Sequence, residues 1–265
     1  MNRSDFCYAI VNRMKYILVS YVLLMVLACS SEGDKTKSSD PVYTIIFLDK
    51  TRSVNTDKAF VAHKYQQALT EIIEQNIRQK GDKLDVYFIH ENTSKARALN
   101  LTVRSEMEDV SAASPTDREA AEAEFNVLLT REKGQFRQLL LQQLAEQNTG
   151  SSNQETDIWA SLPVIAKANE SGATVKVYYL SDMIESVKGT GRRDFQVKSP
   201  KDNVQADEWA KADAESLKRN PIGNPDITMI LPFEPNASVK QNNPTVTQYW
   251  QTLFSALGAS NVTEE

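Results

Sequence analysis

Two hydrophobic patterns alternate along most of this chain. Short apolar runs stand at Tyr43-Thr-Ile-Ile-Phe-Leu48, Leu84-Asp-Val-Tyr-Phe-Ile-His90, Thr174-Val-Lys-Val-Tyr-Tyr-Leu180 and Asp226-Ile-Thr-Met-Ile-Leu231. Runs of this length and character predict strands covered on both faces, as in a parallel sheet. Between them, apolar residues recur at helical spacing. Residues 58–79 carry Phe60, Val61, Tyr65, Ala68, Leu69, Ile72, Ile73 and Ile77 at helical spacing, and Gly81 supplies the stop. A second helix opens at Ser114-Pro115 and runs through Phe125, Leu128, Leu129, Phe136, Leu139, Leu140 and Leu144 to about Gln147. Further helices are predicted over 157–169, 207–218 and 246–257. Leu99–Arg104 alternates and suits an edge strand, where antiparallel pairing is open. The polar stretches 148–154 and 185–204 read as loops.

Strands alternating with helices predict an α/β domain, a central and mostly parallel sheet flanked by helices on both faces. Residues 43–90 form one β-α-β unit, for which a right-handed crossover is expected. No internal repeat is evident. The division expected is a leader over 1–28, a flexible tether over 29–41 and a single domain over 42–260.

The leader rests on the run from Tyr16 to Ala28, which ends at Cys29. It falls short of the roughly 20 apolar residues that span a bilayer and suits the hydrophobic region of a signal peptide, with Arg13 and Lys15 before it. Met14 is an alternative start to Met1. A signal-anchor helix that is never cleaved is the other reading of the same run. Residues 30–40 are polar, as a tether would be. Cys29 is one of two cysteines, and the other, Cys7, lies in the leader, so no disulfide can form within the remainder. The ending resembles the lipobox of bacterial lipoproteins, with Leu27 a mild departure. That resemblance implies lipid attachment at Cys29, and several acyl chains at about 0.8 kcal/mol per buried CH₂ would anchor the chain. Ser30-Ser31-Glu32-Gly33-Asp34 resembles the acidic export signals of Bacteroidetes surface lipoproteins. The address implied is the bacterial cell envelope, at the outer membrane or cell surface rather than the inner membrane.

Charge narrows the partners. The chain has a net charge of −5, and removal of Arg3, Arg13, Lys15 and Asp5 with the leader would make it more acidic. No basic patch argues for nucleic acid. His63 and His90 have no cysteine or third histidine near them in sequence, which argues against zinc. Neither a Walker loop nor a Gly-x-Ser-x-Gly motif occurs. Gly189-Thr-Gly-Arg-Arg193 is a loop with the composition to hold an anion.

Ligands of open α/β sheets bind beyond the carboxyl ends of the strands. Three oxygen-rich clusters fall there: Asp49, Thr51 and Ser53 after the first strand, Thr156-Asp157 at a helix start, and Ser181-Asp182 after the third long run. Carboxylates with hydroxyls suit hard cations such as Mg²⁺. The competing reading is that these are caps and turn residues, with Thr156 an N-cap.

The order Asp49-x-Thr51-x-Ser53, Thr156, Asp182 resembles the metal-ion-dependent adhesion site of von Willebrand factor A domains. That likeness covers roughly residues 42–258 by the order of elements. It implies a Rossmann-like fold with the first strand central, and a Mg²⁺, Mn²⁺ or Ca²⁺ ion at those five residues. Its hydroxyls would bind metal directly and its carboxylates usually through water. It further implies a non-enzymatic module that binds a protein partner through an acidic side chain completing the ion. Three positions depart from the pattern: Thr51 replaces a serine, Glu155 stands where a glycine is common, and so does Met183. Phe-Leu-Asp-Lys-Thr at 47–51 also resembles the aspartate loop of haloacid-dehalogenase-like phosphatases, which would make Asp49 a nucleophile. A metal-free envelope scaffold is the third alternative.

If Cys29 carries the lipid, radiolabelled palmitate will mark the wild-type chain and leave Cys29→Ser unlabelled. Equal labelling of the two would end the lipoprotein reading.

Overall fold

The computed structural model describes residues 40–51, 53–54, 58–146, 155–218, 221–234 and 243–265. These belong to one compact unit, Asp40–Glu265. Cys29, the leader and nearly all of the tether lie outside the described residues, as does the loop at 148–154.

Six strands form one sheet: β1 Val42–Asp49, β2 Lys83–Ile89, β3 Arg97–Thr102, β4 Thr174–Leu180, β5 Asp226–Ile230 and β6 Asn261–Glu264. Their order is β3-β2-β1-β4-β5-β6. All neighbours are parallel except β2 and β3. The first strand is therefore central, paired along its length with β2 on one side and β4 on the other. That is why its sequence is apolar at both parities: Ile45 and Phe47 face one layer of helices, Ile46 and Leu48 the other.

On the second of these faces lie α1 (Ala59–Asn76) and the C-terminal half of α2 (Pro115–Ala145). Ser114 caps α2, its hydroxyl accepting from the Asp117 amide, with proline in the first turn. On the other face lie a 3₁₀ turn (Trp159–Ser161) running into α3 (Leu162–Asn169), then α4 (Asn203–Leu217) and α5 (Pro244–Ala256). An aromatic column threads this layer. Phe47 stacks on Tyr179 at 4.9 Å, Tyr179 on Phe254 at 5.5 Å and Phe254 on Trp250 at 5.3 Å between ring centroids. Such pairs add about 0.5–1.5 kcal/mol each beyond the area they bury. The column ties α5 to the central strand. Among the described residues, no helix is long and apolar enough to cross a membrane.

Several boundaries differ from the sequence pattern, each for a physical reason. Helix α1 ends at Asn76, before Gly81, because buried Asp82 gathers the turn. Its carboxylate accepts from the amides of Val42 (2.8 Å), Arg78 (2.7 Å) and Gln79 (2.9 Å). This one side chain staples the α1–β2 connection to the first residue of β1. Helix α4 starts at Asn203 rather than Asp207, since Asp202 caps it by accepting from the Gln205 amide at 2.8 Å. Strand β6, for which the sequence gives no expectation, follows α5 through Gly258 and pairs with β5.

Gly258 has a φ of +114°, and a Cβ there would meet the Gly223 carbonyl oxygen at 2.5 Å. Gly172, before β4, has a φ of +75° with nothing within 4 Å of that position. Gly172→Ala should therefore lose only the left-handed strain of about 1–2 kcal/mol. Gly258→Ala adds a backbone collision and should lose more, on the order of 3 kcal/mol with the strain included. Urea midpoints of the two variants test this; equal shifts would contradict it.

Candidate functional site

Because β1 and β4 are adjacent and parallel, their carboxyl ends deliver Asp49 and Ser181-Asp182 to the same rim. Asp49 is wholly buried. One carboxylate oxygen accepts from the Thr51 amide (2.8 Å) and hydroxyl (2.6 Å), the other from the Ser181 hydroxyl (2.6 Å). The turn after β1 thus folds back on its own aspartate. It places the Thr51 hydroxyl 3.1 Å from that of Ser53. Thr156 Oγ1 lies 3.5 Å from Thr51 Oγ1, and Ser53 bonds the Asp182 carboxylate. All five residues singled out in the sequence meet at one place. Thr51 and Thr156 are buried and Ser53 is exposed, so the cluster opens to solvent on the Ser53 side.

Thr156 is not spent as a helix cap. Its backbone exchanges bonds with Ser186, donating to Ser186 Oγ at 2.8 Å and accepting from the Ser186 amide at 3.0 Å. The side chain that meets the start of the following 3₁₀ turn is that of Asp157, accepting from the Ala160 amide at 2.9 Å. A clasp behind this loop holds it: buried Glu185 accepts from the Ile158 amide at 2.7 Å and from Arg192. The same guanidinium reaches Asp157 at 2.6 Å and lies 5.0 Å over the Trp159 ring. The neighbouring Arg193 is bonded to Asp213 at 2.6 and 2.8 Å and stacked on Trp209. Both arginines of the Gly189–Arg193 loop are thereby committed to carboxylates, so the composition that suggested an anion site serves to pin this loop to the Asp157 turn and to α4 instead.

Met183 has a φ of +60°. This is the position where the resemblance expects glycine, and the left-handed backbone explains that expectation. Here the strain, of order 1–3 kcal/mol, is offset by burial of the methionine and by the Trp250 indole, which donates to the Met183 carbonyl at 2.8 Å. Helix α5 therefore helps set the path of the Asp182 loop.

The electrostatics of the cluster are unbalanced. Burial raises the pKa of Asp49 against the pull of its hydroxyl and amide donors. Burial and then the proximity of Asp49 raise Asp182 to about 7. Among the described residues neither carboxylate has an ion-pair partner. The Tyr65 hydroxyl, fully buried on α1, has no hydrogen-bond partner among the described residues, and burial, then Asp49 and Asp182, push its pKa up. Two carboxylates and three hydroxyls without a cation form an all-oxygen donor set that suits a hard divalent ion. No group of three or more His, Cys, Asp and Glu side chains among the described residues is placed to hold a metal; the cluster here has two carboxylates, its other donors being hydroxyls. Sequence reasoning places Ser181 in the cluster after the third long run but gives Tyr65 no part beside the carboxylates. That tyrosine reads as one more apolar position of α1.

No protein-family model matches the chain, and no curated protein matches it in sequence. Solved structures resemble it distantly. The human COPII-coat protein Sec24c is 12% identical with a TM-score of 0.37, the match covering 88% of this chain and 30% of that one. A minor pilin PilB from Streptococcus sanguinis is 7% identical with a TM-score of 0.40, covering 87% and 58%. A von Willebrand factor type A protein from Catenulispora acidiphila is 14% identical with a TM-score of 0.34, covering 85% and 38%. This chain spans less than two thirds of each.

The raised Asp182 pKa fixes a sign. Between its unfolded value, near 4, and about 7, the folded state binds more protons than the unfolded one. Stability must then fall as pH rises through that window. For the cation-free chain we expect Asp182 to contribute a loss of a few kcal/mol between pH 4 and 8. Urea midpoints of wild type and Asp182→Asn should diverge with rising pH, the variant losing less. Parallel curves would show that Asp182 does not titrate in this window.

Proposed function

We propose that this chain is a non-enzymatic, divalent-cation-dependent protein-binding module of the von Willebrand factor A kind, held at a bacterial envelope membrane by lipid on Cys29. The observation that carries the cation is the convergence of Asp49, Thr51, Ser53, Thr156 and Asp182 at one sheet rim, with two buried carboxylates lacking a cationic partner. The central position of β1 and the helices on both faces agree with the same reading.

Mg²⁺, with Mn²⁺ or Ca²⁺ as substitutes, is the ion such donors would hold, and when bound it supplies positive charge that the rim lacks. Threonine and serine hydroxyls are neutral ligands. They leave the ion under-neutralised, so it retains affinity for one more carboxylate, and an acidic side chain of a partner protein supplies it. Ser53, exposed at the rim, marks the side from which that partner approaches.

The geometry disfavours a phosphatase. An aspartate nucleophile must present a free carboxylate oxygen to phosphorus. Asp49 is fully buried and both of its oxygens already accept short bonds.

Calorimetry on the full chain in mild detergent, titrated with MgCl₂ or MnCl₂, decides the matter. Saturable heat is expected in wild type, with at least a tenfold weaker response in Asp49→Ala and in Asp182→Ala while circular dichroism stays unchanged. No heat in wild type would leave a metal-free scaffold. Cation binding together with Asp49-dependent phosphate release would make it an enzyme.

A further inference from the structure

The helices that cover the Phe47 face of the sheet stop short of its β3 edge. Between α3 and the β2–β3 pair they leave a groove of about 590 Å³. That lies within the range of roughly 300–1,000 Å³ typical of small-molecule sites. Lys83 from β2, Lys95 from the 3₁₀ turn at Thr93–Lys95, Arg97 from β3 and Lys167 from α3 all line it, and none of its lining side chains is acidic. A chain with a net charge of −5 thus gathers four cations around one concavity. Such a cluster focuses a local positive field regardless of overall charge.

The floor is preorganised. Asp85 lies beneath the groove, fully buried on the central part of β2. It accepts from the Tyr43 hydroxyl at 2.9 Å and from Asn100, and pairs with Arg97 at 3.5 Å. One buried anion therefore fixes a tyrosine and a guanidinium at the groove wall before any ligand arrives. Lys83 lies over the Tyr43 ring at 5.6 Å. Lys95 and Lys167 are exposed and make no ion pair with the described residues. Cations on an edge strand also guard it against pairing with other strands. That role would not require lysines from α3 and from the 3₁₀ turn to line the same cavity.

We propose that this groove is a second binding site, independent of the metal rim, for a compact polyanion bearing phosphate or carboxylate groups. Arg97, held by Asp85, offers a forked donor, and Lys95 and Lys167 supply mobile charges at the rim of the groove. The two anion chemistries share this recognition and differ in geometry, so separate probes distinguish them.

The test titrates sodium pyrophosphate, and separately citrate, into the full chain in mild detergent. Divalent cations are removed by resin, and 0.15 M salt suppresses diffuse attraction. Saturable binding of pyrophosphate alone assigns a phosphate ligand, of citrate alone a polycarboxylate, and of both a site that reads charge. In each case the double variant Lys95→Glu/Lys167→Glu should weaken binding at least tenfold with an unchanged circular dichroism spectrum, both side chains being exposed. Asp49→Ala should bind as wild type does, which separates this site from the metal rim whatever the fate of that reading. Absence of saturable binding for both probes, or binding that survives the double charge reversal, overturns the proposal.

Discussion

Everything at the rim depends on a buried carboxylate that ends the central strand. Asp49 sits where β1 leaves the sheet, removed from water, and no basic side chain among the described residues pairs with it. A desolvated charge of that kind costs several kcal/mol unless it is neutralised or well bonded. The surrounding turn is shaped by that demand. Thr51 turns its amide and hydroxyl onto one oxygen, and Ser181 reaches across from β4 to the other. Ser181 in turn accepts from the Met183 amide at 2.9 Å, which carries the constraint into the Asp182 loop. Thr51, one of the hydroxyls proposed as a cation ligand, is thus also one of the two hydroxyls that satisfy the buried carboxylate.

The loops that frame Asp49 are secured from behind by an arginine shared between two carboxylates. Arg192 spans Asp157 and Glu185, and although burial pushes Glu185 up to about 8, the guanidinium pulls against that rise. Arg193 is bonded to Asp213 of α4, which also accepts from the Tyr249 hydroxyl of α5 at 2.9 Å. The contrast is informative. Glu185 and Asp213, which hold elements together, are each given an arginine; the two carboxylates at the rim are met by hydroxyls and backbone amides and by no basic side chain among the described residues. That division separates scaffold from site more sharply than burial alone, since Asp49, Asp182, Glu185 and Asp213 are all buried.

How much of this was legible in the sequence follows from the range of each interaction. Strands β1, β2, β4 and β5 announce themselves because parallel strands covered on both faces need unbroken apolar runs. Strand β6 does not. Asn261-Val-Thr-Glu has one apolar residue, and it is a strand only because β5 offers it an edge. The start of α4 was readable at Asp202, a capping residue passed over in favour of the apolar pattern. At the site, the spacing Asp49-x-Thr51-x-Ser53 is local and visible, whereas Thr156 and Asp182 stand out only as members of separate oxygen-rich clusters, joined to the first through resemblance to a family. Tyr65 was hidden because a tyrosine on a helical stripe reads as core. The groove was hidden more deeply. Lys83, Lys95, Arg97 and Lys167 are unremarkable one by one, and the argument against a basic patch, made from composition, could not register a local concentration created by folding.

The central strand also has a mechanical meaning. The chain enters the sheet at Val42, and the same strand ends at Asp49 on the rim. If the chain is tethered at its N-terminal side and gripped by a partner at the rim, tension runs along β1 from one end to the other. The parallel ladders to β2 and β4 would then be loaded in shear, every hydrogen bond sharing the pull together, instead of being peeled apart in sequence. Attachment and contact so placed would put the load on the strand paired along its length on both sides, and would leave the helices on either face out of it.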